Sequence, residues 1–189
     1  MKKASFFETT RSPYYIYSAD YVDNVAGIKA LHYLCHSLND LGLEAYMVGC
    51  SKESDHLRTP LLRESDAARH KLSGLLPIIV YPETVSGNPL NFPYVVRWLL
   101  NEPGHLGGHR DFTLGEMIFA YSQDFVPEHW QMASQPWNVE NLRVPTVDTS
   151  IFHNIDNSYN DRREGSCYYA NKYLAKGGIL TKHVQSSIS

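Results

Sequence analysis

Cysteine is scarce, and its spacing supports no metal or redox motif. Cys35, Cys50 and Cys167 are the only three, and they form neither a CxxC nor a zinc pattern. An odd number without a secretory leader favours reduced thiols in a cytosolic protein. The opening MKKASFFETTRS has two lysines but no apolar stretch behind them, so a signal peptide is not expected. Excess charge of one sign is also missing. A net charge of −3 excludes a general polyanion binder, so nucleic acid is not an expected partner. No window approaches the roughly 18 consecutive apolar residues of a spanning helix. GxSxG, GxxxxGK[ST] and GxGxxG are all absent, so neither a hydrolase elbow nor a P-loop is indicated. Without GxGxxG, a stand-alone nucleotide-binding enzyme such as a sugar epimerase is a weak third reading. There is no internal repeat and no low-complexity tract.

What is present is an ordinary globular composition with many aromatics. The chain of 189 residues is 43% apolar, enough for one large domain, or one domain plus a fragment, with a real core. Thirteen Tyr, seven Phe and three Trp suit a core, and also clefts that take sugars or other ring-shaped ligands.

Residues 14–49 organise the rest. Tyr14–Ser18 is aromatic and β-branched, as a strand requires. Asp23 and Asn24 are both suited to cap a helix start. Apolar residues at Ile28, Leu31, Leu34, Cys35, Leu38 and Leu41 form a one-sided helical stripe that places Cys35 in the core. Gly42 follows where a left-handed cap is expected, and Glu44–Gly49 returns to a strand. This βαβ unit seeds a parallel sheet. Ala26 and Gly27 fall in the first helical turn, where N–H groups are free and the dipole end is positive. Gly27 would let an anion approach closely, or would simply let helix and strand pack.

Further along, Leu61–Leu72 reads as a short helix, and Leu75–Glu83 (LLPIIVYPE) as a buried central strand. Its end, Tyr81-Pro82-Glu83, should face a cleft, because open parallel sheets bind ligands beyond the carboxyl ends of their strands. Thr84–Pro93 is a turn-rich loop, tightest at Gly87-Asn88-Pro89. A second helix is expected from Phe92 to Asn101, burying Val95, Val96, Leu99 and Leu100 and turning Arg97 and Trp98 elsewhere, with a stop at Glu102-Pro103-Gly104. His105–Asp111 is a short glycine-rich segment. Gly115–Ser122 reads as a strand ending in Tyr121-Ser122, and Val144–Phe152 as another. Residues 154–165 are a polar linker, and 166–173 resume strand character. The expected organisation is a Rossmann-like parallel sheet flanked by helices over 1–153, the linker, and 166–189 as the remnant or start of a second domain.

Histidine is the one abundant ligand type. His32 and His36 stand four apart on one helix side, but no HExxH carboxylate or third ligand accompanies them, so both are read as solvent-exposed and no metal is expected. Glu83, Asp124 and Glu128 are the carboxylates nearest the strand ends. The rim made by Gly27, Tyr81–Glu83 and Tyr121-Ser122 is more specific than any single member.

The series SAD…NVAGIKALHYL…LNDLGLEA, followed by IIVYPETVSGNPL and VVRWLLNEPG, resembles the opening domain of bacterial glycosyltransferases with the two-domain B fold, in the subset that builds surface polysaccharide. The resemblance spans roughly residues 13–175. It implies a Rossmann-like acceptor-side domain facing a second domain that grips the nucleotide-sugar, with reaction in the cleft between them and no cofactor or metal ion. Under it, Asn24, Ala26 and Gly27 approach the donor diphosphate, while Tyr81, Glu83, Gly87, Asn88 and Tyr121 line the cleft. No catalytic base is assigned; Glu83, His105 and Glu128 are the candidates. Such enzymes run to about twice this length, and the acidic nucleotide motif and basic diphosphate ligands of the donor half are missing here.

The expected function is therefore a truncated or split glycosyltransferase, inactive or poorly active alone. Its ligands would be a nucleotide-sugar and a glycan or glycolipid acceptor. Its place would be the cytoplasm, with peripheral contact to the inner face of the membrane through the acceptor. Its partner would be a separate C-terminal half or a second copy. The alternative is a non-catalytic binding or assembly module that keeps the fold and uses its cleft face as an interface.

Overall fold

The computed structural model describes residues 11–113, 115–131, 138–146, 177 and 179. Its contacts divide the chain into two units, Met1–Val147 and Asp148–Ser189. The linker at 154–165, the strand at 166–173, Cys167 and most of the strand expected over Val144–Phe152 fall outside the described residues; Val144 to Thr146 carry no regular structure.

The first unit is a six-stranded, all-parallel sheet. Its strands are β1 (Tyr14–Tyr17), β2 (Ala45–Val48), β3 (Ile78–Pro82), β4 (Tyr94–Leu99), β5 (Met117–Ala120) and β6 (Glu140–Asn141). They are ordered β2-β1-β3-β4-β5-β6, each pairing parallel with its neighbour. The helices are α1 (Ala26–Asp40), α2 (Glu64–Leu72) and the single turn α3 (Glu128–Gln131). The architecture is α/β and Rossmann-like.

Alternation along the strands sorts the core onto two faces. Ile16, Val80 and Trp98 point to the face covered by α1, meeting Ala30, Leu31, Leu34 and Cys35. Tyr15, Ile79 and Tyr81 point the other way and pack with Leu62, Val85 and Phe92. α1 is held by its apolar stripe, whereas the only buried residue of α2 is His70. A chain of polar contacts fixes α2: Tyr15 Oη lies 2.6 Å from His70 Nδ1, and His70 Nε2 lies 3.0 Å from Glu44 Oε1.

Four expectations are corrected. The segment 92–101 is not a helix; Tyr94–Leu99 is the fourth strand, hydrogen-bonded between β3 and β5. A central strand covered on both faces is apolar nearly throughout, and such a run mimics a helical stripe over six residues. Arg97 and Trp98 accordingly do not turn away; both are fully buried, on opposite faces. Neither Asp23 nor Asn24 caps α1, whose N-cap is Val25 without a side-chain bond. Asp23 instead accepts from Tyr21 Oη at 2.6 Å. His32 is not exposed: it is fully buried, its Nε2 2.9 Å from the Ala19 carbonyl, while His36 is half-buried beside Asp40. The C-terminus of α1 is as expected. Gly42, at φ +75°, donates to Asn39 O, and Leu43 donates to Leu38 O, the paired bonds of a Schellman cap.

Candidate ligand site at the carboxyl edge

β1 lies between β2 and β3, the kind of switch in strand order beside which open α/β sheets take ligands at the carboxyl ends of their strands. The loops over that edge are fixed from beneath by one buried cation. Arg97 Nη1 donates to Val85 O at 2.6 Å and Pro82 O at 3.3 Å; Nη2 donates to Gly87 O at 2.7 Å; Nε donates to Glu116 at 2.9 Å. Its guanidinium stacks between the rings of Tyr81 and Phe112, 5.2 and 4.7 Å from their centroids. Burying a charge is costly unless it is paired and bonded, and Arg97 is both.

Several residues expected to line a cleft belong to this support. Tyr81 is fully buried; its hydroxyl donates to Asn88 Oδ1 at 3.3 Å and accepts from Leu90 N–H at 3.2 Å. Asn88 also donates to Phe92 O and accepts its N–H, closing the loop that Gly87 enters. Tyr81, Gly87 and Asn88 therefore shape the loop after β3. Glu83 is buried and accepts from Leu100 N–H at 2.9 Å, binding that loop to the one after β4. Burial raises its carboxyl above the usual carboxylate range, against the opposing pull of the backbone donors. Gly108 completes the lock. At φ +77° its backbone lies so close that a Cβ would stand 2.2 Å from Glu83 O.

At the head of α1, Ala26 and Asn24 are exposed and Gly27 is half-buried. A Cβ on Gly27 would stand 3.8 Å from Leu100 Cδ1, an ordinary contact, so packing does not require glycine there. The helix head adjoins the end of β4. Beneath this face, Ser18 Oγ and His32 Nδ1 are buried with no hydrogen-bond partner among the described residues.

Beyond the ends of β4 and β5 lies a polar cavity of about 480 Å³, lined by Glu102, Pro103, Gly104, His105, Arg110, Pro127, Glu128 and His129. It brings together two of the three candidate catalytic residues, His105 and Glu128. The third, Glu83, is not among its lining residues. Tyr121 also stands apart, half-buried with its ring 6.4 Å from Trp98. Sequence reasoning missed Glu102, Arg110 and His129, although the first two flank the glycine-rich HLGGH segment. Asp111, next to the cavity, accepts from Trp130 Nε1 at 3.1 Å and lies 3.2 Å from His129 Nε2; these two contacts lower its carboxyl. Imidazole and carboxylate side by side suit general acid–base work. Among the described residues, no group of three His, Cys, Asp or Glu is placed to hold a metal ion.

The opposite, amino-terminal edge carries a different concavity. It measures about 500 Å³ and is lined mainly by Leu75, Leu76, Ile78, Tyr94, Val96 and Met117. Among the described residues, no titratable group other than the Tyr94 phenol lines it. Among the described residues, no helix is long and apolar enough to cross a membrane.

No protein-family model matches this sequence, and no curated protein or solved structure matches it either.

Proposed function

We propose that this chain carries the acceptor-side domain of a glycosyltransferase, working with a nucleotide-sugar-binding half outside the described domain. The observation that carries the reading is the polar cavity at the carboxyl edge of an all-parallel sheet, lined by both His105 and Glu128. Ligands bind at this edge in open α/β sheets. The RWLLNEPG segment, part of the glycosyltransferase resemblance, supplies Glu102, Pro103 and Gly104 to its lining.

In the proposed reaction an acceptor hydroxyl attacks the anomeric carbon of the donor sugar. Its proton passes to Glu128 or His105, and the nucleoside diphosphate leaves with the electrons of the broken glycosidic bond. Positioning of the acceptor is this domain's share; stabilisation of the leaving diphosphate belongs to the donor half. A cytoplasmic site of action, at the inner face of a membrane when the acceptor is lipid-linked, follows from the same reading.

The test is acceptor binding and turnover with a panel of nucleotide sugars and glycans. Glycan binding that perturbs the cavity residues, with little or no transfer by this chain alone, is expected. Robust transfer by this chain alone would refute the division of labour, and no glycan binding at all would refute the acceptor site.

A further inference from the structure

The same cavity carries an inference about the kind of acceptor, and this rests on the reading just given. Glu102, His105, Arg110 and Glu128 make no side-chain hydrogen bond or ion pair among the described residues, although they line one cavity. The contrast with the other arginines is instructive. Arg58 pairs with Asp40, Arg63 with Glu53, Arg69 with Glu44 and Arg97 with Glu116, and Arg143 bonds the Tyr121 carbonyl. Only Arg110 and Arg11, at the start of the described chain, lack such a partner among the described residues. Asp111, its neighbour in sequence, feels the charge of Arg110 but is hydrogen-bonded by Trp130 and lies against His129.

The stem of Arg110 nonetheless packs closely on the loop that opens the cavity. Its stem crosses Gly104, where a Cβ would stand 2.6 Å from Cγ and 3.3 Å from Nε. Gly104 holds φ +80°, a conformation that side chains resist, so the crossing point stays open. The loop is anchored a second time where Gly108 meets Glu83. A guanidinium with a closely packed stem and uncommitted donors suits bidentate recognition of an oxyanion. His105 adds a ring nitrogen to the same cavity, while His129 is committed to Asp111. Glu102 and Glu128 would repel an anion placed beside them, but they accept hydrogen bonds from hydroxyl groups. A ligand matching both sets has an oxyanion at one end and several hydroxyls at the other.

We propose that the cavity binds an acidic sugar through its phosphate or carboxylate group, with Arg110 holding the oxyanion and Glu102 and Glu128 accepting from ring hydroxyls.

The experiment titrates the whole chain, followed by amide NMR shifts, with glucuronate, glucose 1-phosphate, inorganic phosphate and neutral glucose. Shifts at residues 102–110 and 127–129 are expected with the two acidic sugars, at least tenfold tighter than with glucose. Glucuronate above glucose 1-phosphate would identify a carboxylate as the anion, and the reverse order a phosphate. Inorganic phosphate matching both would show that hydroxyls add nothing and would overturn the role of Glu102 and Glu128. Arg110→Gln should weaken the acidic sugars at least tenfold, with Arg110→Lys between it and the parent. Equal binding of glucose and the acidic sugars, or no loss in Arg110→Gln, would overturn the proposal. The two readings fail separately. Acidic sugars that bind here, in a chain that transfers sugar robustly by itself, leave this site standing and remove the division of labour. Neutral glycans that bind at the cavity as tightly as acidic sugars leave the acceptor domain and remove the anion.

Discussion

The two edges of the sheet use charge in opposite ways. At the amino edge, where the strands begin, one cluster of charged and polar groups is mutually engaged. Glu44 takes hydrogen bonds from Tyr46 at 2.7 Å and from Arg69, and lies beside His70, which contacts Tyr15. That cluster docks α2, a helix with little apolar surface of its own, and the neighbouring concavity is apolar. At the carboxyl edge there are two tiers. Beneath the loops, Arg97 and Glu83 are buried and fully engaged. Above them, His105, Arg110, Glu102 and Glu128 are exposed and uncommitted among the described residues. The difference teaches that a charge spent on the fold is satisfied by the chain, whereas a charge held for a ligand is left to solvent on a rigid support.

Breaking the lower tier should have the largest effect. Arg97→Met leaves the carbonyls of Pro82, Val85 and Gly87 and the Glu116 carboxylate without their donor, and should cost about 3–5 kcal/mol in urea unfolding. Arg97→Lys should recover little, because an ammonium cannot reproduce the fork. A loss under about 1 kcal/mol for Arg97→Met would show that the loops hold themselves. Next in size, Gly108→Ala forces a side chain into left-handed backbone and against Glu83 O, and should cost about 2 kcal/mol or more. At the amino edge, Tyr15→Phe removes one buried hydroxyl contact and should cost about 1 kcal/mol, with the α2 amides losing protection first in hydrogen exchange. Uniform loss of protection across the sheet would mean that α2 is not docked independently through His70.

Much of this organisation is legible in the sequence, and what is not has a physical reason. The unit over residues 14–49 declares itself because its pattern is local: an apolar stripe, a left-handed glycine, then an alternating strand. β4 is misread because VVRWLL contains too few residues to distinguish a doubly buried strand from a helical face. The start of α1 is misread because Asp23 and Asn24 are good caps that the chain leaves unused in favour of Val25. The candidate cavity was half legible. His105 and Glu128 stand in loops after strands, but their meeting depends on β4 and β5 being adjacent, which the misread β4 concealed. The cluster of Tyr15, Glu44 and His70 was not legible at all, because its members are 55 and 26 residues apart and joined only by the register of the sheet.

The smallest effects are the most discriminating, because the two edges should titrate with opposite signs. Glu44 is held down to about 2, chiefly by Arg69, with His70 and Tyr46 adding to it, from an ordinary value of 4.5. A lowered folded-state value means that Glu44 contributes stability above pH 4.5 and loses it as the pH falls toward about 2. Glu83 is shifted upward by burial, so its contribution is complete below the ordinary carboxylate value and is lost as the pH rises through the raised one. Urea midpoints measured from acid to mildly alkaline pH should therefore part the two variants. Glu44→Gln should flatten the acid limb and lie below the parent at neutral pH. Glu83→Gln should leave the acid limb in place and gain on the parent as the pH rises, because an amide keeps an acceptor for Leu100 N–H without a buried charge. Parallel pH curves for the two variants would mean that neither carboxylate is tuned by its edge, and the division between the edges would then rest on geometry alone.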